Sequence, residues 1–137
     1  MKNFLALGVA LMFTLTSCND DDTTTTPPPA GTYSLVRVQG GLLGGNWQLS
    51  RDKVIWNINT AQDSVTITNN APQNGTPSGL ASGKYAYKVE NTAGTNGACD
   101  VSLSVNNDYF GCYTKTNDTI KVNDLHADGF LYTFVKN

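Results

Sequence analysis

The 137-residue sequence has one histidine (His126), one glutamate (Glu90) and no apolar run longer than ten residues. A single imidazole means that any acid–base or metal centre must draw its other groups from distant parts of the chain. Ten apolar residues form about 15 Å of helix against a hydrocarbon core of about 30 Å, so no stop-transfer helix is present. Charged residues are only 15%, which excludes a coiled coil or a long-helix protein. No Gly-x-Ser-x-Gly elbow, phosphate loop or Cys-x-x-Cys pair occurs. A basic face is missing too. Lys2 lies at the N-terminus and Asp20, Asp21 and Asp22 close behind it, so the 107 residues from 31 to 137 hold eight basic and eight acidic residues. A neutral body cannot neutralise a row of phosphates, and no nucleic-acid partner is expected.

What is present begins at the N-terminus. Met1-Lys2-Asn3 and the apolar residues 4–13 have the form of a secretory signal. The run ends in Leu15-Thr16-Ser17-Cys18, which resembles the bacterial lipobox. That resemblance implies a signal peptide over residues 1–17, cleaved at Cys18, whose thiol receives diacylglycerol and fatty acyl chains such as palmitate. Several chains on one cysteine give stable anchoring, where one chain gives only marginal binding. The alternative is a plain secretory signal with a chance cysteine. Residues 18–30 hold Asp20, Asp21, Asp22, four threonines and Pro27, Pro28 and Pro29, with no apolar residue before Ala30. Such a stretch is expected to be a disordered tether. Acidic residues directly after the lipidated cysteine resemble the surface-export signal of Bacteroidetes lipoproteins. The expected location is therefore the outer membrane, on the cell surface rather than facing the periplasm, with an ordinary solvated linker as the alternative.

Residues 31–137 are read as one domain. Its period is two nearly everywhere: segments 32–38, 53–59 (Ile55 excepted), 64–68 and 84–90 alternate apolar with polar residues, and 101–105, 109–115, 119–122 and 130–136 complete eight candidate strands rich in β-branched and aromatic side chains. Turn residues punctuate them at Asp63, Asn106-Asn107-Asp108, Asn117-Asp118 and Asp128-Gly129. Eight strands in sequential hairpins predict an all-β fold, an antiparallel up-and-down β-barrel; a two-sheet β-sandwich is the alternative. Cys99 and Cys112 fall on either side of the 106–107 turn, within two residues of register, and in an exported protein a disulfide is expected there. It would contribute about 3 kcal/mol. A metal or catalytic pair is the rival reading.

Two connections are longer than a hairpin needs. Residues 39–50 carry Gly40, Gly41, Gly44 and Gly45 around Leu42, Leu43 and Trp47, and are expected to form either a lid over one barrel mouth or a fixed plug. Residues 69–82 look like a plain surface loop.

Gly31-Thr32-Tyr33-Ser34-Leu35-Val36 resembles the opening strand of lipocalin-like domains, with Tyr33 where those carry tryptophan. Gly40-Gly41-Leu42-Leu43-Gly44-Gly45, Val54-Ile55-Trp56-Asn57-Ile58-Asn59, Ser82-Gly83-Lys84-Tyr85-Ala86-Tyr87 and Ala127-Asp128-Gly129-Phe130-Leu131-Tyr132-Thr133-Phe134 look like lipocalin-like lipoproteins of Bacteroidetes and Flavobacteria. The resemblance implies a small barrel, a lipid anchor and an apolar ligand.

Tyr33, Leu35, Trp56, Tyr85, Tyr87, Phe110, Tyr132 and Phe134 are the candidates to line a ligand cavity; alternatively they fill the barrel as core. Asp124, His126 and Asp128 are the densest polar cluster, read as turn chemistry before the last strand rather than as a metal or catalytic site. The expectation is a non-catalytic, monomeric, membrane-anchored binding module for a small hydrophobic molecule, without cofactor or metal. The alternative is a solid barrel whose loops contact a protein or glycan.

Overall fold

A computed structural model describes residues 26–72, 77–92, 99–124 and 128–137. Among these described residues nine strands follow one another: β1 (Gly31–Gly40), β2 (Gly45–Gln48), β3 (Val54–Asn59), β4 (Ser64–Asn69), β5 (Gly83–Asn91), β6 (Val101–Val105), β7 (Asp108–Thr116), β8 (Thr119–Asn123) and β9 (Phe130–Lys136). All pairings are antiparallel. Each strand from β3 to β9 pairs with its neighbour in sequence, and β9 returns to β1. Gly31–Ser34 pairs with β3, while Arg37–Gly40 pairs with β2, so β1 divides one edge between two partners. The result is a closed eight-stranded up-and-down barrel with β2 as a short flap. Closure by the β1–β9 ladder excludes the sandwich.

The turns follow from the residues that occupy them. Asn106 and Asn107 have φ of 56° and 66°, as a two-residue type I′ hairpin requires. Asp63 (44°) and Asn117 (52°) carry the same left-handed conformation in the β3–β4 and β7–β8 turns. We call the end holding these last two turns the base, and the end holding the 106–107 turn the mouth.

Period two is broken twice. Leu35 faces Phe134 but Arg37 faces Thr133, leaving Val36 as an extra residue. Leu103 faces Gly111 but Ser104 faces Tyr109, leaving Phe110 extra on β7. These β-bulges let residues three apart share a face: Leu35 with Val38, and Phe110 with Tyr113. Every strand but β2 supplies buried side chains to one core, among them Tyr33, Leu35, Trp56, Ile67, Leu103, Val122 and Phe134.

Three local expectations change. Residues 39–50 are not a long connection: the end of β1, a tight turn and β2 form a hairpin. Residues 26–30, expected to be solvated tether, include Pro28, which is buried at the base. Residues 79 and 80, in the stretch 69–82 expected to be plain surface, cover the mouth. There Gly79 lies over the rings of Phe110 and Tyr132, Leu80 packs on the core, and the Asn69 side-chain amide donates to the Leu80 carbonyl (2.8 Å).

Cys99 and Cys112 form a disulfide, with Cα atoms 5.7 Å apart, a normal spacing. It ties the β5–β6 connection to the middle of β7, and the Thr92 hydroxyl donates to the Cys99 carbonyl (2.8 Å) beside it.

Candidate functional site

The barrel interior collects the aromatic side chains that period two assigned to one face. Rings pass from the mouth inward in contact: Trp47 with Phe130 (6.1 Å between centroids), Phe130 with Tyr132 (6.2 Å), Tyr132 stacked on Phe110 (5.3 Å), Phe110 with Trp56 (5.4 Å), and Trp56 with Phe134 (4.6 Å). Such pairs are worth about 1 kcal/mol each beyond the area they bury. Of the eight cavity candidates, Tyr33, Leu35, Trp56, Tyr87, Tyr132 and Phe134 are buried in the core, and Tyr85 and Phe110 are partly buried against it.

These residues do converge: Phe110 and Tyr132 lie ring against ring, and Tyr33, Trp56, Tyr87 and Phe134 border one apolar gap. The apolar gap among Tyr33, Trp56, Tyr87, Leu103, Phe134 and Pro28 is about 10 Å³, room for about one water molecule. A drug-sized ligand needs some 300 Å³ or more.

The lid candidates separate. Trp47 leans on Phe130, but Leu42 and Leu43 are 81% and 96% exposed at the hairpin tip and cover nothing. His126 lies outside the described residues. Asp124 donates its backbone N–H to the Phe130 carbonyl (3.2 Å), and Asp128 is exposed. The single glutamate, Glu90, pairs with Lys88 (2.6 Å) on the surface.

Sequence reasoning missed Tyr113. Counting in twos from Phe110 places it outside; the bulge brings it in. Its hydroxyl and that of Tyr87 are buried with no hydrogen-bond partner, whereas the Tyr33 hydroxyl donates to the Pro29 carbonyl (3.1 Å). Burial, then the neighbouring Tyr33 and Tyr87, push the Tyr113 phenol up to about 12. Burial first and a nearby aspartate second also raise Tyr33 (Asp118), Tyr87 (Asp63), Tyr109 and Tyr132 (both Asp124).

A raised phenol pKa means that the folded chain keeps its proton where the unfolded chain loses it. The corresponding stability is complete below pH 10 and is lost as pH climbs toward about 12 for Tyr113. Tyr113→Phe removes one such group and one unpartnered hydroxyl. It is expected to stabilise the fold by about 1 kcal/mol at neutral pH and to flatten the fall in stability above pH 10. Urea unfolding at pH 7 and at pH 11 checks both; a variant less stable at pH 7 would show that the hydroxyl has a partner.

Comparison of the chain with known protein families, with curated proteins and with solved structures finds no match.

Proposed function

We propose that this chain is an exported lipoprotein of lipocalin-like architecture, anchored through Cys18 to the outer membrane on the cell surface, whose solid barrel presents an apolar hairpin tip to a protein partner. One observation carries the reading: the leucines of the tip stand in solvent, while the apolar gap described among the interior side chains has room for about one water molecule. Burying a leucine contributes about 2 kcal/mol, and a folded domain gains nothing by leaving two adjacent ones out. Leucine side chains favour an apolar protein groove over a glycan, which stacks on aromatic rings.

The ends of the barrel give this tip a direction. The described chain enters at the base, at Thr26, eight residues after Cys18. Eight extended residues reach at most about 28 Å, so an anchored chain holds its base near the bilayer. β1 has ten residues, and a strand of that length spans about 33 Å along its own axis. The hairpin at its far end therefore faces away from the anchored surface. The ring-to-ring contacts that run from Trp47 to Phe134 weigh against a stored small molecule among the mouth aromatics.

Leu42→Ser with Leu43→Ser is expected to leave thermal unfolding within about 3 °C, since neither side chain packs on the core. The same double variant is expected to lose at least tenfold in the yield of any envelope protein cross-linked from the hairpin. Recovery of the same partners in the same yield from both chains removes the proposal.

A further inference from the structure

The base of the barrel holds an arrangement that the hairpin reading does not use. Pro28 comes from a Thr/Pro stretch and is nonetheless buried, over Trp56, Ile58, Tyr87 and Phe134. Residues 26–30 belong to no strand. Beneath and beside them stand two phenols, Tyr87 and Tyr113, each more than nine-tenths buried, with unpartnered hydroxyls. Phenylalanine would fill the same volume without stranding a polar group. Two grooves flank the segment. One, of about 470 Å³, runs past Thr26, Val101 and Tyr113; the other, of about 260 Å³, runs past Pro27, Val89 and Tyr87. Pro28 sits between them, above the apolar gap.

We propose that the base of this barrel is a binding site for a small neutral amphiphile with a carbonyl head, kept shut by the chain's own Pro28. Withdrawing residues 26–30 joins the two grooves to the gap below. The Tyr87 and Tyr113 hydroxyls then donate to the ligand's carbonyl oxygen, which has two lone pairs to accept them. The ligand's apolar body takes the place of the proline ring against Trp56, Ile58 and Phe134. Charge selects for neutrality: each groove carries one carboxylate and one ammonium group, Asp63 with Lys88 and Asp100 with Lys115. Neither groove offers the excess positive charge that an anionic head requires. A segment outside the sheet opens at far lower cost than a strand, which suits it to be the gate.

The test uses residues 18–137 with Cys18→Ala, which carry neither acyl chains nor the apolar signal segment, so that neither lipid nor detergent competes, and the neutral ketone 6-propionyl-2-(dimethylamino)naphthalene as fluorescent probe. Pro28→Gly, which removes the ring and loosens the segment, is expected to tighten probe binding at least tenfold. Adding Tyr87→Phe and Tyr113→Phe to that variant is expected to weaken binding about tenfold, the loss of two neutral hydrogen bonds, and to shift the emission to shorter wavelength. Phe substitution keeps the fold, because it deletes only unpartnered oxygens. In the unsubstituted chain, saturating probe is expected to speed amide exchange at Ala30 and Gly31. The proposal is overturned by equal affinity with and without Pro28, by affinity and emission indifferent to the two hydroxyls, or by exchange at Ala30 that bound probe leaves unchanged. A fixed water bridging both hydroxyls in a crystal structure overturns it as well.

Discussion

Trp56→Ala is expected to cost about 4 kcal/mol, within the range for truncating a buried tryptophan. In a domain of this size that lowers the midpoint of thermal unfolding by roughly 20 °C. The reason lies in the position of the ring. Trp56 is 5% exposed and touches both Phe110 and Phe134, so its loss interrupts the sequence of rings that runs inward from the mouth. The barrel wall cannot collapse into the gap, because β3 is held by β1 on one side and β4 on the other. A dry cavity lined by apolar groups therefore remains, and such cavities accept aromatic molecules of matching shape. Indole at millimolar concentration is expected to raise the midpoint of the variant by several degrees and to leave the parent chain unmoved. Calorimetry with and without indole checks this; equal shifts in both chains would mean that the native interior already has room.

Gly111→Ala is expected to be nearly as severe, at about 3 kcal/mol. Gly111 adopts φ of 153°, a conformation that strains any residue with a Cβ, and it lies at the β7 bulge. The added methyl carbon would stand 2.7 Å from the Asn123 carbonyl oxygen and 2.8 Å from a Val122 methyl. Neither is a flexible tip: one is the backbone of the paired strand and the other a fully buried side chain. Gly44→Ala is the matched control. Gly44 also has positive φ (64°), but a Cβ there meets nothing within 4 Å, so the expected cost is only the backbone term of about 1 kcal/mol. Urea midpoints of the two variants separate strain from clash; equal losses would show that the contact with Asn123 is relieved by movement.

Much of this architecture was legible because the strands obey simple rules. Val54, Trp56 and Ile58 stand two apart against Lys53, Asn57 and Asn59, with Ile55 the exception, and all three are buried. Asn106 and Asn107 announced a hairpin that the φ angles bear out. β2 was not legible. Its sequence, Gly-Asn-Trp-Gln, has a single apolar side chain, and it is a strand only because β1 runs on to Gly40 and offers it an edge. The bulges were hidden for a related reason: an extra residue leaves no mark in composition and shows only in the register of two paired strands. That is why Tyr113 escaped notice. Roles at the mouth were also exchanged. Leucines between glycines read as a cover, yet the cover is Gly79 and Leu80 in a stretch of polar and small residues. Pro28 was unreadable from its surroundings, since nothing within the Thr/Pro stretch distinguishes one proline from the next. Its place is set by the interior beneath it.

The ladder between β1 and β9 has a consequence for the order in which this chain can be made. The first strand synthesised waits for the last: the Tyr33↔Lys136 pair joins residues at opposite ends of the domain. Until β9 emerges, β1 and β8 each keep an unpaired edge and the interior aromatics lack Tyr132 and Phe134. Local hairpins such as β6–β7 form early and cheaply, but the closing step must bring distant segments together and is correspondingly slow. A nascent chain of this design holds no more than local hairpins until its final seven-residue strand is available, and such a chain can still be unravelled and threaded through a narrow pore.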